Sequence, residues 1–179
     1  MLKNIVFDMD NTLVDEVGST LRPGIIDFLV NLKKMDLNLI LWTNSSKERA
    51  KTILYNHKLN RYFSKFIFRE DYDINNEGKC KDIRKVKGDL LIDDDPKEIE
   101  FARKNKRKTY LIKSYRKNGI TDKNEYNEIM KIIIDKSDNI LSVFFKWEDD
   151  MAYNSAYMLS SDFIWKSGAN SEGLFASAN

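Results

Sequence analysis

Two acidic groups in this chain are placed where chemistry can be done: Asp8-Met9-Asp10-Asn11-Thr12 and Asp93-Asp94-Asp95-Pro96, each directly behind a short apolar run. A lone Asp-x-Asp is ordinarily a turn or a helix cap. Two such groups behind two buried-looking strands mean more, because open parallel sheets bind ligands beyond the carboxyl ends of their strands. If the two strands are neighbours where the strand order reverses, at least four carboxylates converge. Such a cluster repels itself unless members take up protons or a hard divalent cation sits among them, and oxygen-only ligands suit Mg²⁺. Two further positions belong to the same end of the sheet. Leu39-Ile40-Leu41-Trp42 ends in Thr43-Asn44, a hydroxyl and amides at a helix start, where an anion meets free donors and the helix dipole. The basic stretch Lys79-Cys80-Lys81-Asp82 can extend one ammonium to a phosphate.

The elements that must position these groups follow from periodicity. Short apolar runs alternate with longer amphipathic stretches, the pattern of strands feeding helices around a parallel sheet. Strands are expected near residues 4–7, 37–42, 65–68, 89–92 and 109–112. Pro23 and Gly24 open a helix that runs through Phe28, Leu29 and Leu32, and Ser45 or Ser46 is expected to cap a second through its hydroxyl. Pro96 sits at a helix start before Ile99 and Ala102. A last core helix is expected over about 122–136, with Tyr126, Ile129, Met130, Ile133 and Ile134 facing inward. No internal repeat is found.

Composition bounds the rest. With 179 residues, 42% hydrophobic and 32% charged, the chain suits one ordinary domain and a short appendage, not two domains. The single His57 and single Cys80 cannot supply a zinc cluster or an intrachain disulfide, which suits a reducing cytoplasm and sets the expected localisation there. The opening apolar run is too short for a signal-peptide core and leads straight into Asp8, so no targeting segment is expected, nor is any membrane span. A net charge of +2 does not by itself imply nucleic acid, and Arg103 to Lys108 reads as a solvated helix end. The balance shifts near residue 145: 28 basic and 23 acidic residues precede that point, whereas the rest carries a net −3. Residues 1–145 are therefore expected to form the core. Residues 146–179 are expected to be an extension: a helix with Trp147, Met151 and Met158 along one side, then a loop-like or mobile end from Ser167 to Asn179.

These motifs together resemble the haloacid dehalogenase superfamily of phosphotransfer enzymes over about residues 2–115. Asp-x-Asp-x-Thr at 8–12, the strand ending in Thr43, a downstream Lys and the strand ending in Asp93-Asp94 occur in the superfamily's order. Arg22-Pro23-Gly24-Ile25-Ile26-Asp27-Phe28-Leu29 and Phe68-Arg69-Glu70-Asp71, followed by Lys81-Asp82-Ile83, are similar to its capless branch, the phosphatases of the RNA polymerase II carboxy-terminal domain. That branch usually has Glu in place of Asn11 and Asn in place of Asp94. The resemblance implies a Rossmann-like, doubly wound, parallel α/β sheet of five strands in the order 5-4-1-2-3, without a cap domain.

It also implies roles. Asp8 would attack phosphorus to form an aspartyl-phosphate, and Asp10 would protonate the leaving oxygen and then activate water. Thr43 and Lys81 would hold the transferring oxygens, with Lys79 and Lys85 as alternatives for the cation, and Asn44 and Arg69 would bind substrate. Mg²⁺ would sit between Asp8, the Asp10 carbonyl and Asp94, with Asp93 in support; Thr12 would brace the loop. Asp10 favours hydrolysis over a long-lived phosphoenzyme or dehalogenation.

Neither Leu13 to Arg22 nor the two dozen residues before Lys81 can hold a cap, so the cleft is expected to be open. The expected reaction is Mg²⁺-dependent hydrolysis of a phosphomonoester, on a phosphoprotein or a small metabolite. A polynucleotide-end phosphatase is the enzymatic alternative, suggested by the basic residues before 145, and a phosphate-binding module with the same fold is the non-enzymatic one. Nucleic acid is possible but not the favoured partner, and an oligomer through the extension stays open.

Overall fold

The computed structural model describes residues 2–134, apart from residues 118, 120, 122 and 123. The expected extension, its Trp147 helix and any oligomer through it lie outside the described residues, as does the boundary at 145.

Five strands, β1 (Asn4–Phe7), β2 (Asn38–Trp42), β3 (Lys65–Ile67), β4 (Leu90–Asp93) and β5 (Lys108–Leu111), form one sheet in the order β3-β2-β1-β4-β5. All pairings are parallel. This is the 5-4-1-2-3 order expected from the sequence, with strand order reversing at β1. The three middle strands are buried on both faces, which explains why they read as unbroken apolar runs rather than alternating ones.

Among the described residues five α-helices flank the sheet, α1 (Ile25–Lys34), α2 (Lys47–Asn56), the single turn α3 (Arg69–Tyr72), α4 (Pro96–Lys104) and α5 (Asn124–Ile134), with short 3-10 turns at Leu59–Arg61 and Ile83–Val86. Strand periodicity sends Val6, Ile40 and Leu91 to one face, where they pack with Ile99 and Ala102 of α4. Phe7 points to the other face, edge-on to Phe28 of α1, and Phe28 in turn stacks on Tyr126 of α5 at 4.6 Å. Helices thus cover both faces, and Tyr126, Ile129, Met130, Ile133 and Ile134 are buried as their spacing predicts.

The helix starts differ in detail. Asp95 caps α4, accepting from the Lys97 amide at 2.8 Å with Pro96 in the first turn. At α2 the cap residue is Ser46, but no hydroxyl caps it. The Lys47 amide donates instead to Glu70 Oε2 at 2.9 Å, and the Ser45 hydroxyl is turned toward Asp10. A carboxylate from α3 thus takes the place expected for a serine.

Among the described residues no cap domain intervenes. Leu13–Arg22 is a short loop held by Asp15, which is wholly buried and accepts from the amides of Val17, Ser19 and Thr20 and both hydroxyls of Ser19 and Thr20. No helix among the described residues is long and apolar enough to cross a membrane.

Candidate active site

Strand register brings the two acidic groups together. Phe7 pairs with Ile92 and the Asp8 amide donates to the Ile92 carbonyl at 3.0 Å, so Asp8 and Asp93 leave adjoining strands side by side. Both are buried. Between them lies Lys81, 2% exposed, with Nζ 2.6 Å from Asp8 Oδ1 and 2.7 Å from Asp93 Oδ2. The other Asp93 oxygen accepts from the Asp95 amide at 2.9 Å. Lys81 comes from a segment without regular structure, so its placement needs other anchors. Its backbone amide donates to Glu98 Oε2 of α4 at 2.8 Å. Upstream, the buried Asp73 carboxylate gathers the amides of Glu77, Gly78 and Lys79 and fixes the turn.

The electrostatics follow from burial. Burial pushes the Asp8 carboxyl upward; Lys81 pulls it back and Asp93 adds to the rise. Burial also works against the Lys81 charge, but Asp8 and Asp93 hold the ammonium well above its ordinary value. Asp94 is raised by burial too, against hydrogen bonds from Ser114 and Asn11.

Asp8, Asp93 and Asp94 each offer an oxygen within 4.8 Å of the others, a spacing that one ion can bridge. The donors are all hard oxygens, the set that suits Mg²⁺. Asp10 lies on the other side of the cleft: its Oδ2 accepts from Ser45 Oγ at 2.6 Å and its Oδ1 faces Arg49 Nη2 at 2.7 Å. The cleft, of about 460 Å³, is lined by Asp8, Asp10, Asn11, Asn44, Ser45, Lys81, Glu98 and the 93–96 turn. The arrangement pairs a buried carboxylate with a cation, provides a second carboxylate across the cleft, and opens to solvent.

A family model described as NLI interacting factor-like phosphatase matches residues 3–143. The chain belongs to the NLI interacting factor-like phosphatase family. Three solved structures are similar to this phosphatase in fold. A haloacid dehalogenase superfamily hydrolase from Ehrlichia chaffeensis shares 15% identity over 74% of this chain and 98% of its own, with a TM-score of 0.53. A subfamily IA hydrolase from Geobacter sulfurreducens shares 13% over 74% of this chain and 100% of its own, with a TM-score of 0.51. A family enzyme from Bacteroides thetaiotaomicron, in complex with magnesium and inorganic phosphate, shares 13% over 66% and 98%, with a TM-score of 0.50. The search of curated proteins returned no match.

The remaining expected residues of the phosphatase fall as follows. Thr43 is fully buried, and its hydroxyl accepts from the Ser45 amide at 3.0 Å. Asn44 lines the cleft, with Tyr72 donating to its Oδ1 at 3.4 Å. Of the three lysines, Lys81 faces the cleft, whereas Lys79 pairs with Glu77 on the surface and Lys85 borders a separate cavity beside Trp42 and Tyr72. Arg69 does not line the cleft; its amide donates to the Ser45 carbonyl and its guanidinium lies 3.8 Å from Glu70. Thr12 is held through its carbonyl, which accepts from Arg22 Nε at 2.8 Å, while its hydroxyl has no hydrogen-bond partner among the described residues.

Sequence reasoning missed Ser45 as a partner of Asp10, and also Arg49, Glu98, Asp73 and the buried Arg22–Glu125 pair. Two of these had a signal. Arg49 and Glu98 stand in the first turns of α2 and α4, the helices that begin just behind the strand ends carrying Thr43 and Asp93.

Proposed function

We propose that this phosphatase hydrolyses phosphomonoesters with Mg²⁺ by way of an aspartyl-phosphate on Asp8. The observation that carries the reading is the convergence of Asp8, Asp93 and Asp94 within 4.8 Å beside Lys81, with Asp10 across the cleft. Asp8, Asp94 and the Asp10 carbonyl would hold the ion and Asp93 would support it. Bound there, Mg²⁺ neutralises carboxylate charge and screens the incoming phosphate from it.

The protein's own groups then divide the work. Asp8 attacks phosphorus in line with the ester oxygen, forming the acyl-phosphate bond as the P–O bond to the alcohol breaks. Asp10 gives its proton to the departing alkoxide and afterwards takes one from the water that cleaves the intermediate, releasing inorganic phosphate and free Asp8. Lys81 and Thr43 stabilise the transferring oxygens. The uncapped cleft admits a phosphorylated side chain of a protein as well as a small phosphometabolite.

Turnover of p-nitrophenyl phosphate tests this reading. Activity should require Mg²⁺, stop with EDTA, and fall at least about 100-fold in Asp8→Asn, a barrier increase of about 3 kcal/mol or more. Activity that survives both EDTA and the substitution rejects it.

A further inference from the structure

Of the five carboxylates in the two acidic groups, Asp8, Asp93 and Asp94 form the ion-sized cluster; Asp95 caps α4, and the Asp10 side chain is not part of the cluster. Helix α2 accounts for this. Arg49 places Nη2 2.7 Å from Asp10 Oδ1, while its Nη1 donates to Ser45 Oγ, the hydroxyl that itself donates to Asp10 Oδ2 at 2.6 Å. The same Nη2 reaches the Glu16 carbonyl at 3.2 Å. One guanidinium therefore ties the start of α2, the Asp10 turn and the Leu13–Arg22 loop around one carboxylate. The contact with Asp10 Oδ1 is an ion pair, and the hydrogen bonds of the planar fork go to Ser45 and Glu16, two directed links that a flexible ammonium, with one point charge, does not reproduce.

We infer that Arg49 is a positioning residue for the acid–base carboxylate, keeping Asp10 beside the leaving oxygen and out of the metal cluster. The inference rests on the mechanism proposed above. An ion held by Asp8 would attract a free carboxylate at Asp10, two residues on, and Asp10 drawn onto it would no longer face the ester oxygen. The positive charge of Arg49 and the Ser45 hydroxyl hold it on the opposite side. Arg49 itself spends its contacts on protein groups, so its effect on the reaction passes through Asp10.

The test compares two esters, since kcat/KM reports the steps up to departure of the alcohol. An alkyl phosphate needs a proton on its leaving oxygen and p-nitrophenyl phosphate hardly does. Arg49→Gln should lower kcat/KM at least ~10-fold for the alkyl ester and under ~3-fold for the nitrophenyl ester. In an Asp10→Asn background the same substitution should add less than ~2-fold, because the group it positions is gone. Arg49→Lys, which restores the charge without the fork, should fall between wild type and Arg49→Gln. Calorimetric titration with Mg²⁺ should find Arg49→Gln binding at least as tightly as wild type, which also shows the variant to be folded.

Equal losses on both esters, an undiminished effect in Asp10→Asn, an Arg49→Lys no better than Arg49→Gln, or lost Mg²⁺ binding would each overturn the inference. Full turnover by Asp8→Asn or Asp10→Asn would instead overturn the mechanism beneath it, so the two failures are separable.

Discussion

Arg22 is 2% exposed and yet charged, and the cost of disturbing it can be worked from its contacts. Its guanidinium pairs with Glu125 of α5 at 2.9 Å and donates to the carbonyls of Thr12 at 2.8 Å, Asn11 at 3.1 Å, and Lys113. Glu125 returns the link by accepting from the Lys113 amide at 2.6 Å. Removing one member of a buried pair strands the other charge, at about 3–5 kcal/mol. Glu125→Leu should therefore lower the urea midpoint by about 1.5–2.5 M for a typical slope near 2 kcal/mol per M. Arg22→Met should cost at least as much, since the Thr12 carbonyl also loses its donor, worth about 1–3 kcal/mol when buried. The double variant leaves no stranded charge and should be more stable than the sum of the singles implies by at least about 2 kcal/mol. Activity separates the two residues. Glu125→Leu keeps Arg22 on the carbonyls beside the Asp8–Thr12 turn and should hold kcat within about 3-fold, whereas Arg22→Met and the double variant should lose about 10-fold or more. Urea unfolding with p-nitrophenyl phosphate kinetics decides the matter. Single-variant losses that add to within about 0.5 kcal/mol would refute the coupled pair.

Two further outcomes follow from the buried charges. Lys81→Met strands Asp8 and Asp93, so it should abolish turnover and lower the Tm of the metal-free protein, and added Mg²⁺ should raise that Tm by more in the variant than in wild type; an equal rise would contradict the charge balance assigned to Lys81. Burial raises the Asp15 carboxyl, but hydrogen bonds from the Ser19 and Thr20 hydroxyls and from the Ser19 and Val17 amides outweigh it and hold it well below the usual range. A depressed folded value stabilises above the unfolded value near ~4 and loses that contribution as pH falls further. The Tm gap between wild type and Asp15→Asn should therefore be large at neutral pH and close below about pH 4, as thermal melts across that range will show.

What the sequence reveals about this fold is set by which forces are local. Strand positions and helix faces were legible because unbroken apolar runs and 3.6-residue stripes record burial directly, as at Leu39–Trp42 and Tyr126–Ile134, whereas the order of the strands came from the family resemblance. Asp8 and Asp93 could be placed together for the same reason: each ends a buried strand, and parallel register does the rest. The Ser45 hydroxyl was not legible. A serine before a helix can cap it or serve another acceptor, and the choice depended on Glu70, far along the chain, reaching the Lys47 amide first. Arg22 and Glu125 were hidden by type, since charged residues are ordinarily exposed and nothing in their neighbours announces a partner 103 positions away.

The arrangement of charge also explains why the site can exist before any ligand arrives. Two side-chain cations pair with three of the carboxylates: Lys81 serves Asp8 and Asp93, and Arg49 serves Asp10. Asp94 makes no ion pair: it receives hydrogen bonds from Ser114 and Asn11, and the Lys81 charge favours it only from a distance. The two acidic groups thus hold five carboxylates against these two cations, and Glu98 beneath the Lys81 backbone adds a further acidic group. That excess lies toward Asp8 and Asp94, not toward Asp10, whose charge is met locally by Arg49. On the proposed mechanism a divalent ion would be drawn to the Asp8 side of the cleft, and the Asp10 carboxylate would be left free of it. On that reading the separation of the two proposed roles follows from which cation meets which carboxylate.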